Sequence, residues 1–165
     1  MATTQPSIVE RETQPYAAVR GVVTMSTFPT IADRIPEVFS WLATRGFAPA
    51  GAPFFRYLVI DMPRRIEVEA GVPTEEQVPG DGEVIASVLP AGRFATVTHH
   101  GHYSGLVDTT AELLAWAAER DLRWDAADTP LGERWGCRLE VLQTSPRFVP
   151  DPADWLTDLV FRLAD

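Results

Sequence analysis

The chain has 165 residues, 45% of them hydrophobic and 22% charged, which is the composition and size of one globular domain able to bury its own core. Its formal charge is −9, and its fourteen basic residues, all arginine, are dispersed, with only Arg64 and Arg65 adjacent; there is no basic stripe of the kind that displaces counterions from a nucleic-acid backbone. Cys137 is the only cysteine, which excludes a disulfide within the chain and a four-thiolate metal site, and neither a leader-like start nor an 18-residue uncharged apolar run is present, so the expectation is a soluble cytoplasmic protein with no membrane partner.

In chain order, a short strand is expected at "YAAVRGVV" (Tyr16–Val23). An apolar-periodic helix follows in "TIADRIPEVFSWLATRG", where Ile31, Ile35, Val38, Phe39 and Leu42 share one face and Gly46 provides a stop. Pro36 fits a first turn and breaks a bond deeper in, so the regular helix begins later than the periodicity does. "FRYLVID" and "RRIEVEAGV" read as two strands separated by Met62–Pro63, and the turn-rich "PTEEQVPGDGE" ends this half. The second half has a strand near "VIASVL", a turn at Pro90–Gly92, a strand at Phe94–His100, and a helix capped by Ser104 that carries Leu106, Leu113, Leu114 and Ala117 on one side. "GERWGCRLEVL" reads as one strand and "DWLTDLVFRL" as the last.

Each half therefore runs strand, glycine, helix, strand, strand, with about 80 residues between Gly21 and Gly101. A short sheet under one helix leaves apolar edges that a second copy buries. The expected fold is α+β: a single domain, 1–165, of two strand-helix-strand-strand units, about 14–75 and 82–165, forming one antiparallel sheet. Both helices lie on one face, related by a pseudo-twofold axis, and the bare, twisted face offers a ligand cleft.

Among chemistry-bearing residues, His99, His100 and His102 resemble metal ligands, but adjacent strand residues point to opposite faces and no acidic or thiol partner completes a set. They read as hydrogen-bonded rim or interior residues, with no metal and no cofactor. Ser104 lacks the flanking glycines of a nucleophile elbow, and Cys137 sits in an apolar-alternating strand as a structural thiol. The carboxylates are more informative. Alternation in "RRIEVEAGV" sets Ile66, Val68 and Ala70 against Arg65, Glu67 and Glu69, and if the apolar set meets the helices the acids face the open side. Glu140, between Leu139 and Val141, and Asp158, between Thr157 and Leu159, follow the same rule. Carboxylates lining an aromatic cavity select a cation.

"HHGHYSGLVDTTAELLAWAAERDL" and "WLTDLVFRL" resemble two segments of the GyrI-like small-molecule-binding family, which also supplies the effector-binding domains of AraC-type and MerR-type multidrug-responsive regulators. The resemblance covers most of the chain from about Tyr16 and implies a pocket between the repeats, lined by aromatics and an acid, for lipophilic or aromatic, often cationic, small molecules. By position it places the ligand-binding tyrosine at Tyr103, the helix tryptophan at Trp116 and the last-strand acid at Asp158. Phe94 and Trp41 are candidates for further aromatic lining. Aspartate is one methylene shorter than the family's glutamate, which leaves Glu67, Glu69 or Glu140 to carry the charge, or the ligand uncharged.

No helix-turn-helix accompanies the duplicated unit, so a standalone drug-binding or sequestering member is expected, without direct nucleic-acid contact. Some relatives resemble hydrolases that open strained cyclopropanes. For that chemistry the pairs are Glu67, Glu69 or Glu140 as general base with Tyr103 or Tyr57 beside the developing oxyanion. A third reading is a protein-interaction factor with a vestigial pocket, and exposed sheet edges offer a place for a homodimer or a partner protein.

Overall fold

The computed structural model describes residues 4–61 and 64–164. Among these residues, ten strands and three α-helices follow one another: β1 (Ser7–Arg11), β2 (Gln14–Val23), α1 (Pro29–Ala32), α2 (Ile35–Thr44), β3 (Phe54–Asp61), β4 (Arg65–Pro73), β5 (Ile85–Leu89), β6 (Gly92–His100), α3 (Leu106–Glu119), β7 (Ala126–Thr129), β8 (Gly132–Trp135), β9 (Arg138–Leu142) and β10 (Leu156–Arg162). Pro36 sits in the first turn of α2, and Gly46 adopts φ +74° just beyond it, as the helix signals require. Met62–Pro63 lies outside the described residues.

The strands join into one antiparallel sheet in the order β1-β6-β10-β9-β3-β4-β2-β5, with β8 on the far part of β3 and β7 on β8. Two links determine its shape. Arg11 and Gln14 join β1 to β2, strands six positions apart in that order, and Leu89 and Gly92 join β5 to β6 in the same way. Six strand spacings in a flat sheet measure about 29 Å, whereas three Cα steps reach at most about 11 Å. The sheet must curl until its two ends meet.

Curling gives the sheet two apolar faces. On the convex side α1 and α2 lie over β2 and β4 and α3 lies over β6. Their clusters are built on Ala17, Val19, Val38, Leu42, Ile66 and Val68 in one half and Ala95, Val97, Leu113, Leu159 and Phe161 in the other. On the concave side Tyr16 and Ala18 from one end of the sheet meet Phe94 and Val160 from the other, around Phe54, Cys137 and Leu139. Gly71 is required here: a Cβ would stand 2.7 Å from the Phe54 ring and 3.2 Å from that of Tyr16.

Four local readings are corrected. The face expected to hold an open cleft is closed on its own side chains, with a cavity of about 10 Å³ beside Leu89, Phe94, Cys137 and Leu139. "GERWGCRLEVL" is two strands, since Gly136 and Cys137 interrupt it and β8 turns away to pair with β7. β1, ahead of the first strand expected at Tyr16–Val23, borrows its order from pairing with β6 rather than from burial, being exposed throughout. Finally, α3 has no side-chain cap; Ser104 belongs to a 3₁₀ turn, Tyr103–Gly105, whose cap is His102, its ring nitrogen accepting from the Ser104 N–H.

Candidate functional site

Between the two convex-side clusters runs a seam floored by β9, the strand that pairs with β3 on one side and β10 on the other. Its convex-facing residues are Arg138, Glu140 and Leu142. Glu140 lies opposite Phe55 on β3 and opposite Leu159 on β10, so its carboxylate sits where the two halves of the helix-covered face meet. This reverses the face expected for Glu140. The apolar set Leu139 and Val141 packs inside the curl, a choice that alternation alone cannot make when both faces are apolar.

Tyr57 closes on Glu140 from the neighbouring strand, its hydroxyl donating to Oε1 at 2.8 Å. Phe28 stacks on Tyr57 with ring centres 6.0 Å apart and meets Phe55 edge-on at 4.9 Å, forming an aromatic wall beside the carboxylate. Burial pushes the Glu140 carboxyl above the usual range, against the opposing pull of the Tyr57 hydrogen bond and of the Arg138 and His99 charges. Burial, then the Glu140 charge, pushes Tyr57 well above its ordinary value, so it stays a neutral donor. Arg138 lies over the rings of Phe161, Trp135 and Tyr57 at 4.5, 4.8 and 5.9 Å, and burial lowers its pKa. Arg138 and Glu140 are both half-buried and open to solvent along the seam. A separate cavity of about 170 Å³ lies away from them, lined by Gly46, Phe47, Thr74, Glu75, Glu76 and Val78.

A second polar group occupies the concave side. Glu69, 1% exposed, accepts from the Tyr16 hydroxyl at 2.5 Å and from Arg20 at 2.7 and 3.2 Å. Arg56 donates to the Tyr16 oxygen and to the Gly136 carbonyl, each at 2.8 Å. Burial and the Glu69 charge push the Tyr16 phenol up to about 12. Both Glu69 oxygens are engaged by the chain itself, so this network braces the curl.

The remaining expected residues are spread over the molecule. Glu67, opposite Val22, stands half-buried at the end of the concave side. Asp158 also faces the concave side, opposite Val141, accepting from Thr98 at 2.6 Å and Gln143 at 2.8 Å. Phe94 belongs to the concave cluster. Tyr103 leans on Trp155, ring centres 4.7 Å apart, beside His102, and burial raises its pKa. Trp41 and Trp116 each carry an arginine one turn on, Arg45 at 4.3 Å and Arg120 at 4.4 Å. His99 is 1% exposed, with Nδ1 2.6 Å from the Thr109 hydroxyl and Nε2 3.0 Å from the His102 carbonyl oxygen. Among the described residues no His, Cys, Asp or Glu cluster has metal-binding geometry. Burial pushes the Cys137 thiol up to about 11.

Of the carboxylate and tyrosine pairs nominated from sequence, the fold thus brings Glu140 and Tyr57 together. Arg138, Phe28, Phe55, Tyr16, Arg20 and Arg56 were not nominated. The one available signal for Arg138 was its place in "CRLEVL", where it must share a face with Glu140.

The sequence matches the GyrI-like small molecule binding domain over residues 4–131. The chain belongs to the GyrI-like family. The match ends before β8, and the fold of the rest extends the likeness. The C-terminal domain of EcmrR superposes with a TM-score of 0.77 at 19% identity, covering 98% of each chain. In the EcmrR–DNA complex the same comparison gives 0.79 at 19% identity, and here the GyrI-like chain covers only 57% of EcmrR. SAV2435 bound to tetraphenylphosphonium gives 0.61 at 7% identity over 98% of this chain and 94% of that one. A hydrolase from Listeria innocua gives 0.61 at 13% identity over 97% and 92%. No curated protein sequence matches. Among the described residues no helix is long and apolar enough to cross a membrane.

Proposed function

We propose that the seam over β9 binds an amphipathic aromatic small molecule, its cationic part against Glu140 and its ring system against Tyr57, Phe28 and Phe55. The observation that carries this is the Glu140 carboxyl itself. It is partly desolvated beside rings, its pKa is raised, and only one of its oxygens is used by Tyr57. A carboxylate so placed gains more from an organic cation than from water, because a ligand's charge compensates it while the ligand's apolar surface displaces weakly held solvent. The binding of tetraphenylphosphonium by SAV2435, a protein of this fold, agrees with a lipophilic cation as the ligand class. The halves 14–75 and 82–165 are read as two copies of one unit: matching β2, β3 and β4 to β6, β9 and β10 makes the strand order run alike from both ends of the sheet, with the β3–β9 pair at its centre. The seam is then the meeting line of the repeats.

A second reading rests on the same pair. Glu140 takes a proton from water as the water oxygen bonds to a strained ring carbon; the strained carbon–carbon bond breaks, its electron pair passes to the oxygen of a conjugated carbonyl, and the Tyr57 hydroxyl turns to donate to that oxygen; the Listeria innocua relative described as a hydrolase favours testing it. Thermal-shift screening of lipophilic cations and electrophilic aromatics, followed by mass spectrometry of the hits, separates the two. A binder shifts the melting temperature and returns the compound unchanged, and an enzyme consumes the parent mass. Absence of any shift across both sets, or shifts that survive Glu140→Gln undiminished, would remove the seam as the site.

A further inference from the structure

The seam holds two charges, and only one of them has been used. Arg138 and Glu140 are two residues apart on one face of β9, so their Cα atoms are about 7 Å apart. No nitrogen–oxygen contact of 4.0 Å or less joins them, and the guanidinium instead lies across the rings of Phe161, Trp135 and Tyr57. Among the described residues no acceptor takes an N–H of the Arg138 guanidinium, although a guanidinium carries five donors in a planar fork suited to a carboxylate. Lying over three rings holds the guanidinium in place without engaging its N–H donors.

The two charges make opposite demands on a ligand. A simple lipophilic cation that compensates Glu140 is brought close to a positive charge already resting over Tyr57, one of the rings it would use, at an energy that low dielectric enlarges. A ligand carrying an anionic group as well as its cationic centre meets both residues at once, and its carboxylate takes the fork in two parallel charge-assisted bonds.

Resting on the reading of the seam as the ligand site, we propose that its preferred ligands are zwitterionic: amphipathic aromatic molecules with a cationic group for Glu140 and a carboxylate or comparable anionic group for Arg138. Glu140 supplies affinity for the class, and Arg138 discriminates within it.

The test uses tetramethylrhodamine, a zwitterion, and its methyl ester, a cation with the same rings, titrated by fluorescence anisotropy against the wild-type chain, Arg138→Gln, Arg138→Lys and Glu140→Gln. The expected result is wild-type binding of the zwitterion at least about tenfold tighter than of the ester, the ratio conferred by one charge-assisted pair. Arg138→Gln brings the two within about twofold by weakening the zwitterion alone, and Arg138→Lys keeps part of the preference, since it retains the charge and loses the fork. Glu140→Gln weakens both dyes. If Arg138→Gln does not fold, the wild-type ratio and Arg138→Lys still decide. An ester that binds wild type as tightly as the zwitterion, or a preference unchanged in Arg138→Lys and Arg138→Gln, overturns the role of Arg138 and leaves the seam as a cation site. Failure of both dyes to bind overturns the inference and the seam together.

Discussion

Removing the charge of Glu140 should stabilise the protein while weakening its ligand. In Glu140→Gln the amide oxygen still accepts from the Tyr57 hydroxyl, now at 2.8 Å from Glu140 Oε1, so the perturbation is mainly electrostatic. Burial raises the folded-state pKa of this carboxyl above its unfolded value. Between the two values the native chain binds the proton more tightly than the unfolded chain does, so stability falls as pH rises through that window. Below the unfolded value the charge costs nothing, and above the folded value the full cost is present. Tyr57, Arg138 and His99 offset part of it, which leaves a net penalty on the order of 1 kcal/mol, typical of a charge kept for function. For a chain of this length that corresponds to about 2–4 °C in Tm. Melting curves of both proteins from about pH 4 to about pH 8 should therefore nearly coincide at the acid end and separate toward neutrality, with Glu140→Gln the higher. A Glu140→Gln protein that melts lower than wild type at neutral pH, by a margin that grows as pH rises, would refute the reasoning. That pattern belongs to a carboxylate the fold needs ionised.

Four further outcomes follow from the packing. Tyr16→Phe removes the hydroxyl shared by buried Glu69 and by Arg56, and should cost about 2–3 kcal/mol in denaturant melts, because a buried charge loses a charge-assisted bond; Tyr57→Phe, at the half-open seam, should cost about 1 kcal/mol or less. Thr157 is 0% exposed and its hydroxyl has no hydrogen-bond partner among the described residues, so Thr157→Val should raise stability by about 1 kcal/mol in the same assay. Gly105→Ala places a Cβ 2.7 Å from Cε1 of His99, whose two ring nitrogens are both engaged, and should lower stability by about 1–3 kcal/mol while leaving dye binding by the folded protein within about twofold.

The strand in "RRIEVEAGV" shows what could be read without coordinates. One of its alternating sets is acidic and the other apolar, so only the apolar set can lie under a helix, and Ile66, Val68 and Ala70 do. The same rule put Asp158 on the concave side, where it is found, and failed at Glu140. The difference lies in the partners. The convex face of β9 carries Arg138 and Glu140 because it lies between the helices, not beneath one, while Leu139 and Val141 pack against residues brought from the other end of a curled sheet. Local alternation states that a strand has two unlike faces; which face becomes interior depends on long-range closure.

Composition, periodicity and turn residues determined an α+β chain with one antiparallel sheet, helices on one side and no basic surface, because those features follow from local propensity and net charge. Only the tertiary structure decided that the helix-free side would be filled, that Glu69 would be locked among Tyr16, Arg20 and Arg56, and that Glu140 would meet Tyr57 and lie near Arg138 in an open seam. The physical reason is the short links between β1 and β2 and between β5 and β6, which force the ends of the sheet together and so turn an expected cleft into a core.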